Sequence, residues 1–332
     1  MLTSHSTAII KRIDPENLRY FRLEANDCTT RIKAITLPDK EKLADQYKFI
    51  KEAVKAYPEL YFAKLVILGE GDSEEIILPK FWSAKNGNLD ASGISIVPLG
   101  GRHVNHFWRL LNDLNIPHIT LLDLDKERDG GGWGRIKYVL DQLIQNGVDR
   151  NKLLKIKNGI MTDEELEGML GWNVKDADAL QSWIDYLEIY SVFFSSPLDI
   201  DFLMLEHYGE VYKEILGEKE GPRLMVIIGG KRQQKYIKSI EMLGESYPEY
   251  EKRIIEDVQH ALKECGGEGI TYTEEQKKLM VWYTYFFLNR GKPSTHIEAL
   301  SKIEDKSLIA SMPTVFSKII AVAEKKLQGD VL

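Results

Sequence analysis

Three short apolar runs separated by helix-like segments fix most of what this chain can become. Leu65–Leu68, Ile94–Leu99 and "HITLLDLD" (118–125) read as buried strands, and amphipathic stretches at about 72–82 and 105–114 lie between them. Strands that alternate with helices form a parallel sheet, because a parallel pair needs a long crossover and a helix is the usual way to make one. The expected fold class is therefore α/β, a parallel sheet flanked by helices. In such sheets sites gather beyond the carboxyl ends of the strands, and all three strands carry their unusual residues at that end.

The first strand runs into "LGEGDSEEIILPKF", with Glu70, Asp72, Glu74 and Glu75 inside six positions. Asp72 and Glu75 are explained by the positive N-terminus of the helix that follows. Glu70 precedes that helix and capping does not account for it. Glu74, one turn in, can point with it into the space above the sheet. Asp123 and Asp125 end the third strand two positions apart and so share a face. Two carboxylates that close repel unless a cation lies between them, and hard oxygen ligands suit Mg²⁺.

Other groups are candidates by type. "SSPLDIDFLML" (195–205) offers Asp199 and Asp201, either as the start of a helix or as acids completing a second metal site. Lys231 and Arg232, which follow Gly229-Gly230, and Lys292 in "RGKPSTHIEAL" are candidate cations for a phosphate, as is Arg102 after Gly100-Gly101. His103 and His106 lack the further ligands that zinc needs, and Trp133 in its glycine-rich loop suits packing better than ligand contact.

Beyond residue 125 most segments read as helices: 135–146, 163–170, 176–190, 202–216, 248–264, 273–289 and 312–328, interrupted by one strand at 223–230. Asp39–Tyr57 reads as another helix, and "LRYFRLE" and "TTRIKAI" as two short strands about the turn-forming residues 25–27. At 332 residues there is room for two domains, or for one domain with a large insertion. The most apolar stretch, Leu279–Leu288, is too short to span a bilayer and suits a buried helix. Two cysteines, Cys28 and Cys265, without metal-type spacing point to a reducing, cytoplasmic setting. A net charge of −7 argues against a protein that coats nucleic acid by bulk electrostatics, yet leaves room for one that meets phosphates through bound metal.

"LGEGDSEEIILPKF", "VPLGGRHVNHFWRLLNDLNIP" and "ITLLDLDKE", in this order and spacing, resemble a TOPRIM domain, a Rossmann-like module, over roughly residues 60–130. "TSHSTAII" resembles the switch-histidine end of an ABC-type ATPase core, with His5 as the histidine. An ATPase core followed by TOPRIM is the layout of the OLD (overcoming lysogenization defect) nucleases, and the long helical stretches resemble its class 2 members. The resemblance implies a division into an upstream ATPase remnant (1–40), a TOPRIM core (41–145), a helical insertion with a later acidic motif (146–222), and a last strand with C-terminal helices (223–332). It makes Glu70, Glu74, Asp123 and Asp125 metal ligands and Asp199 or Asp201 a further one. Lys292, with Lys231 as its substitute, would stabilise a scissile phosphate. Two divalent ions are implied, Mg²⁺ or Mn²⁺, with Ca²⁺ able to take the same place. DNA is the implied substrate, and the intact protein would be a homodimer carrying the ATPase domain. The competing readings are a TOPRIM topoisomerase or primase, which needs a transesterifying tyrosine or a zinc module, and a non-catalytic DNA-binding or dimerisation module.

Overall fold

The computed structural model describes residues 3–328 apart from 5, 24–28, 36, 38–39, 42–46, 49–50, 52–54, 101–103, 158, 237–248 and 265. His5, Arg102, His103 and both cysteines lie outside the described residues, as does most of the expected helix 39–57. A hairpin of β1 (Arg19–Leu23) and β2 (Thr30–Ala34) precedes the central sheet. That sheet has four strands, all parallel: β3 (Leu65–Gly69), β4 (Ile94–Pro98), β5 (His118–Asp123) and β6 (Val192–Ser195), in spatial order β4-β3-β5-β6. The parallel α/β sheet expected from the sequence is thus present, with one more strand than was expected.

All five residues of β3 are buried. Leu65 and Ile67 belong to one apolar cluster, Val66 and Leu68 to the other. A strand covered on both faces reads as a continuous apolar run, which is why "LVIL" shows no alternation. One face is covered by α1 (Asp72–Asn86), which follows β3, and by the late helices α5 (Ile200–Glu214), α6 (Glu249–Ala261), α7 (Glu274–Tyr283), α8 (Lys292–Lys302) and α9 (Thr314–Gln328). The other is covered by α2 (Val104–Asp113), α3 (Trp133–Gln145) and α4 (Ala177–Leu187). Trp133 packs edge-on against Trp172 and donates its indole N–H to the Asn173 carbonyl at 3.2 Å, a packing role.

Three elements differ from the sequence reading. The run 192–195, which the sequence reading assigns to no helix, is the fourth strand and lies at one edge of the sheet; four residues are too few to show a period. Arg223–Ile228 is a strand, but it pairs antiparallel with Lys231–Tyr236 in a separate hairpin and does not join the sheet. The "RGKPSTHIEAL" segment is largely helix α8: Lys292 and Pro293 open it after Gly291, whose φ of 116° favours glycine. Among the described residues no helix is long and apolar enough to cross a membrane.

Glu127 joins the late helices to the sheet. Its carboxylate accepts the backbone N–H groups of Gly269 (2.7 Å), Ile270 (3.2 Å) and Thr271 (2.6 Å), and the Thr271 hydroxyl at 2.6 Å. Hydrogen bonds to a charged acceptor are worth roughly 1.5–3 kcal/mol each, and losing the acceptor strands several donors. Glu127→Ala is expected to lower stability by about 2–4 kcal/mol in urea unfolding; an unchanged midpoint would show that the clasp contributes nothing.

At the opposite end of the sheet, burial pushes the His118 imidazole down from 6.5 to about 4, with the Ile116 carbonyl 3.2 Å from Nδ1 opposing the shift. Below pH 6.5 the unfolded chain binds a proton that the folded one refuses. His118 therefore costs nothing above that pH, and stability falls as pH drops toward 4, by at most about 1.4 kcal/mol per unit. In urea titrations at pH 7.5 and 5.0, His118→Gln should lose less stability than the parent between the two.

Candidate active site

Three helices begin at one place above the carboxyl ends of the strands. The first turns of α1, α5 and α8 contribute Asp72, Ser73 and Glu74, Ile200 and Asp201, and Lys292 and Pro293 to the lining of a cavity of about 330 Å³, which Glu70, Gly71 and Asp123 complete. Each helix presents a positive dipole end and N–H groups free of intrahelical bonds, so the cavity favours anions, whether carboxylates of the protein or a phosphate. A second cavity, of about 400 Å³, lies by His118, Thr120 and Lys326 and has no carboxylate in its lining among the described residues.

Glu70 follows the last residue of β3, and its Oε1 accepts the backbone N–H of Asp123 at 3.0 Å, tying the ends of β3 and β5 together. Glu74 is 1% exposed; its Oε2 accepts the Gly71 N–H at 2.9 Å, while among the described residues Oε1 has no hydrogen-bond partner. It is seated by a missing side chain, since a Cβ on Gly69 would lie 2.5 Å from the Glu74 Cβ. Asp123 Oδ1 accepts from the Ser195 hydroxyl at 2.9 Å and from the Ile200 N–H at 3.2 Å. Asp201 is 1% exposed; its Oδ1 accepts from the Ser73 hydroxyl at 2.6 Å and lies 2.8 Å from His296 Nε2, and its Oδ2 meets Lys292 Nζ at 2.5 Å.

Burial raises the carboxyls of Glu70, Glu74 and Asp123 above their ordinary values. Arg135 and the Asp123 N–H partly offset this for Glu70. Glu74 is pushed up to about 8. For Asp123 the nearby carboxylates of Glu70, Glu74, Asp199 and Asp125 add to burial. Burial also acts on Asp201, but His296 and Lys292 outweigh it and hold its carboxyl low. Burial would lower Lys292, yet Asp201 and Asp199 raise it, so its ammonium is secure.

The remaining expected site residues lie elsewhere. Asp125 and Asp199 do not line the cavity. Asp125 is paired with Arg128 (2.6 Å) and with Arg135. Burial would raise its carboxyl, but the two guanidinium groups hold it below the ordinary value. Asp199 caps α5 by accepting the Phe202 N–H at 2.9 Å, and its other oxygen takes the Tyr283 hydroxyl at 2.5 Å and Arg128 at 3.1 Å. Lys231 and Arg232 are exposed on the separate hairpin, with Arg232 lining a different cavity. Sequence reasoning missed Arg128, Arg135, Ser73, Ser195, Tyr283 and His296. Only the two arginines left a signal, as cations in the glycine-rich loop directly after the aspartate pair.

A divalent ion is the group these donors suit. Among the described residues no three acidic, histidine or cysteine side chains are already closed into a ligand cage. The buried unpartnered oxygen of Glu74, and three carboxyls that burial drives toward the protonated form, are nevertheless the features a cation would relieve.

The chain is 26% identical over 202 residues to Endonuclease GajA of Bacillus cereus (strain HuB5-5), covering 59% of this chain and 28% of that protein. It is 28% identical over 134 residues to Endonuclease GajA of Bacillus cereus (strain VD045), covering 40% and 22%. The chain thus spans about a quarter of the length of these relatives. Among solved structures, the C-terminal region of the Xanthomonas campestris pv. campestris OLD protein aligns at 21% identity and TM-score 0.41, over 79% of this chain and 97% of that one. That of the Burkholderia pseudomallei OLD protein aligns at 18% and 0.42, over 80% and 99%. The family model of the overcoming lysogenization defect protein-like TOPRIM domain matches residues 61–125, and this chain carries an OLD-like TOPRIM domain there.

Proposed function

We propose that this chain is the nuclease region of a class 2-like OLD protein and hydrolyses phosphodiester bonds of DNA with Mg²⁺ or Mn²⁺ as cofactor. The observation that carries the reading is the convergence of Glu70, Glu74, Asp123, Asp201 and Lys292 on one cavity at the carboxyl ends of parallel strands. Two relatives named endonucleases support it. The proposal puts the region downstream of an ATPase domain, in a homodimer and in the cytoplasm.

Glu70, Glu74, Asp123 and Asp201 would hold the divalent cation. When bound it supplies Lewis-acid polarisation of the phosphate and a water of lowered pKa. The residues do the rest. Lys292, about two-fifths exposed at the rim, presents a fixed ammonium to the non-bridging phosphate oxygens as charge builds on them. Ser73 and His296 fix the rotamer of Asp201, so that its second oxygen stays directed at Lys292. Glu70 is fixed by the Asp123 N–H, and Asp123 by Ser195 and the Ile200 N–H, which leaves little rearrangement for the reaction to drive.

The test is nicking of supercoiled plasmid with Mg²⁺ or Mn²⁺. Glu70→Gln and Asp123→Asn should each reduce the rate by at least about 10³-fold, and Lys292→Ala by about 10²–10³-fold. Glu75→Gln, on the exposed side of the α1 first turn, should cut like the parent. Cutting that survives both Glu70→Gln and Asp123→Asn would remove the assignment, and a covalent protein–DNA adduct would favour a topoisomerase.

A further inference from the structure

We propose that the guanidinium of Arg135 takes the place of a second divalent ion, so that the site holds one such ion and not two. This rests on the metal-dependent reading above and concerns how many cations the acids can accept.

Asp125 and Asp199, the further acids offered for a second ion, do not line the cavity, and both are held by protein donors. Asp125 gives Oδ1 to Arg128 and Oδ2 to Arg135. Asp199 gives Oδ1 to the Phe202 N–H, and Oδ2 to Tyr283 and Arg128. Arg128 is itself held from several sides, donating also to the Ala261 carbonyl at 2.9 Å and to the Tyr283 hydroxyl at 2.8 Å, so it is not a cation that an ion would easily displace.

Arg135 spans the gap between the two strand ends. It meets Glu70 Oε1 at 3.2 Å and Glu70 Oε2 at 3.3 Å, and also pairs with Asp125. One guanidinium thus bridges the carboxylate after β3 and the carboxylate after β5. The loop is built to deliver it. Gly131 could carry no side chain, since a Cβ there would meet the Asp125 carbonyl oxygen at 1.8 Å, and Arg135 follows in the first turn of α3. A guanidinium stays charged throughout the accessible pH range and its fork matches carboxylates. It supplies a fixed positive charge near the phosphate, but it cannot activate a water.

The acids left for a true ion are those of the cavity, Glu70, Glu74, Asp123 and Asp201, with the unpartnered Glu74 Oε1 among them. Three fixed cations, Arg128, Arg135 and Lys292, face six carboxylates. With all six ionised, one divalent ion offsets two of the three charges that remain.

Counting Mn²⁺ bound per chain decides the matter, by equilibrium dialysis read out with the paramagnetic resonance of free Mn²⁺. The full chain should bind one Mn²⁺, and Glu74→Gln should weaken that ion at least about tenfold. Arg135→Met should bind two, as Glu70 and Asp125 are released, and Arg135→Gln serves the same purpose if the methionine variant fails to fold. Arg135→Lys, which keeps a cation there, should stay at one. Two ions on the unaltered chain, or a count of one that neither neutral substitution raises, overturns the proposal. No Mn²⁺ binding by the unaltered chain would instead overturn the metal-dependent reading on which it rests.

Discussion

The cost of burying negative charge governs this molecule. Six carboxylates stand at one end of a four-stranded parallel sheet, and an isolated ionised carboxylate cannot be taken out of water cheaply. The fold answers in three ways: positive helix ends, arginine and lysine partners, and proton uptake by the acids left over. Asp125, Asp199 and Asp201 are compensated by side-chain cations and hydrogen bonds. Among the described residues Glu74 and Asp123 meet no such cation, and they are driven toward their protonated forms, Glu74 to about 8. That asymmetry separates the acids that stabilise the fold from those with capacity to bind something.

The compensation also explains why the late helices belong with the sheet. Arg128 leaves the loop after β5 and reaches Tyr283 on α7 and the Ala261 carbonyl at the end of α6, while its neighbour Glu127 clasps the loop before α7. The residues that neutralise the strand-end acids are therefore the same ones that fasten the helical half. Asp125 and Glu127 both adopt positive φ, 52° and 66°, a conformation non-glycine residues enter at some cost. Here the salt bridges and the carboxylate clasp hold them in it.

The parallel sheet was legible in the sequence because buried parallel strands are long apolar runs bounded by polar turns, as in "LVILGEGD" and "HITLLDLD". Glu70 was legible because no capping role accounted for it. The fourth strand, Val192–Ser195, was not, since four residues next to a helix show no period of their own. Whether Asp199 or Asp201 faces the cavity could not be read either. The two are separated by one residue across a helix start, and which of them caps α5 depends on where Tyr283 and Arg128 arrive from far along the chain. The arginines were missed for a related reason: a cation in or beside a glycine-rich turn looks like solvated surface until the chain is folded back on its acids.

The lysine motif shows what is gained once the helix is known. In "RGKPSTHIEAL", Lys292 and His296 stand four apart, one turn of α8, so both project from the same face. They grip opposite oxygens of Asp201. His296 is fully buried, stacked on Phe287 with ring centroids 4.8 Å apart, and its Nδ1 lies 2.6 Å from the Tyr212 hydroxyl. A hydroxyl donating to Nδ1 leaves the proton on Nε2, the nitrogen that faces Asp201, so the aromatic core sets the tautomer that holds the carboxylate. The π-helical turn Thr284–Arg290 and Gly291 immediately before α8 set where that helix begins, and with it the height of Lys292 above the sheet. A shift of one residue in that turn would rotate Lys292 and His296 away from Asp201 together. The cavity therefore depends on the packing of α8, a helix far along the chain from the strand ends it serves.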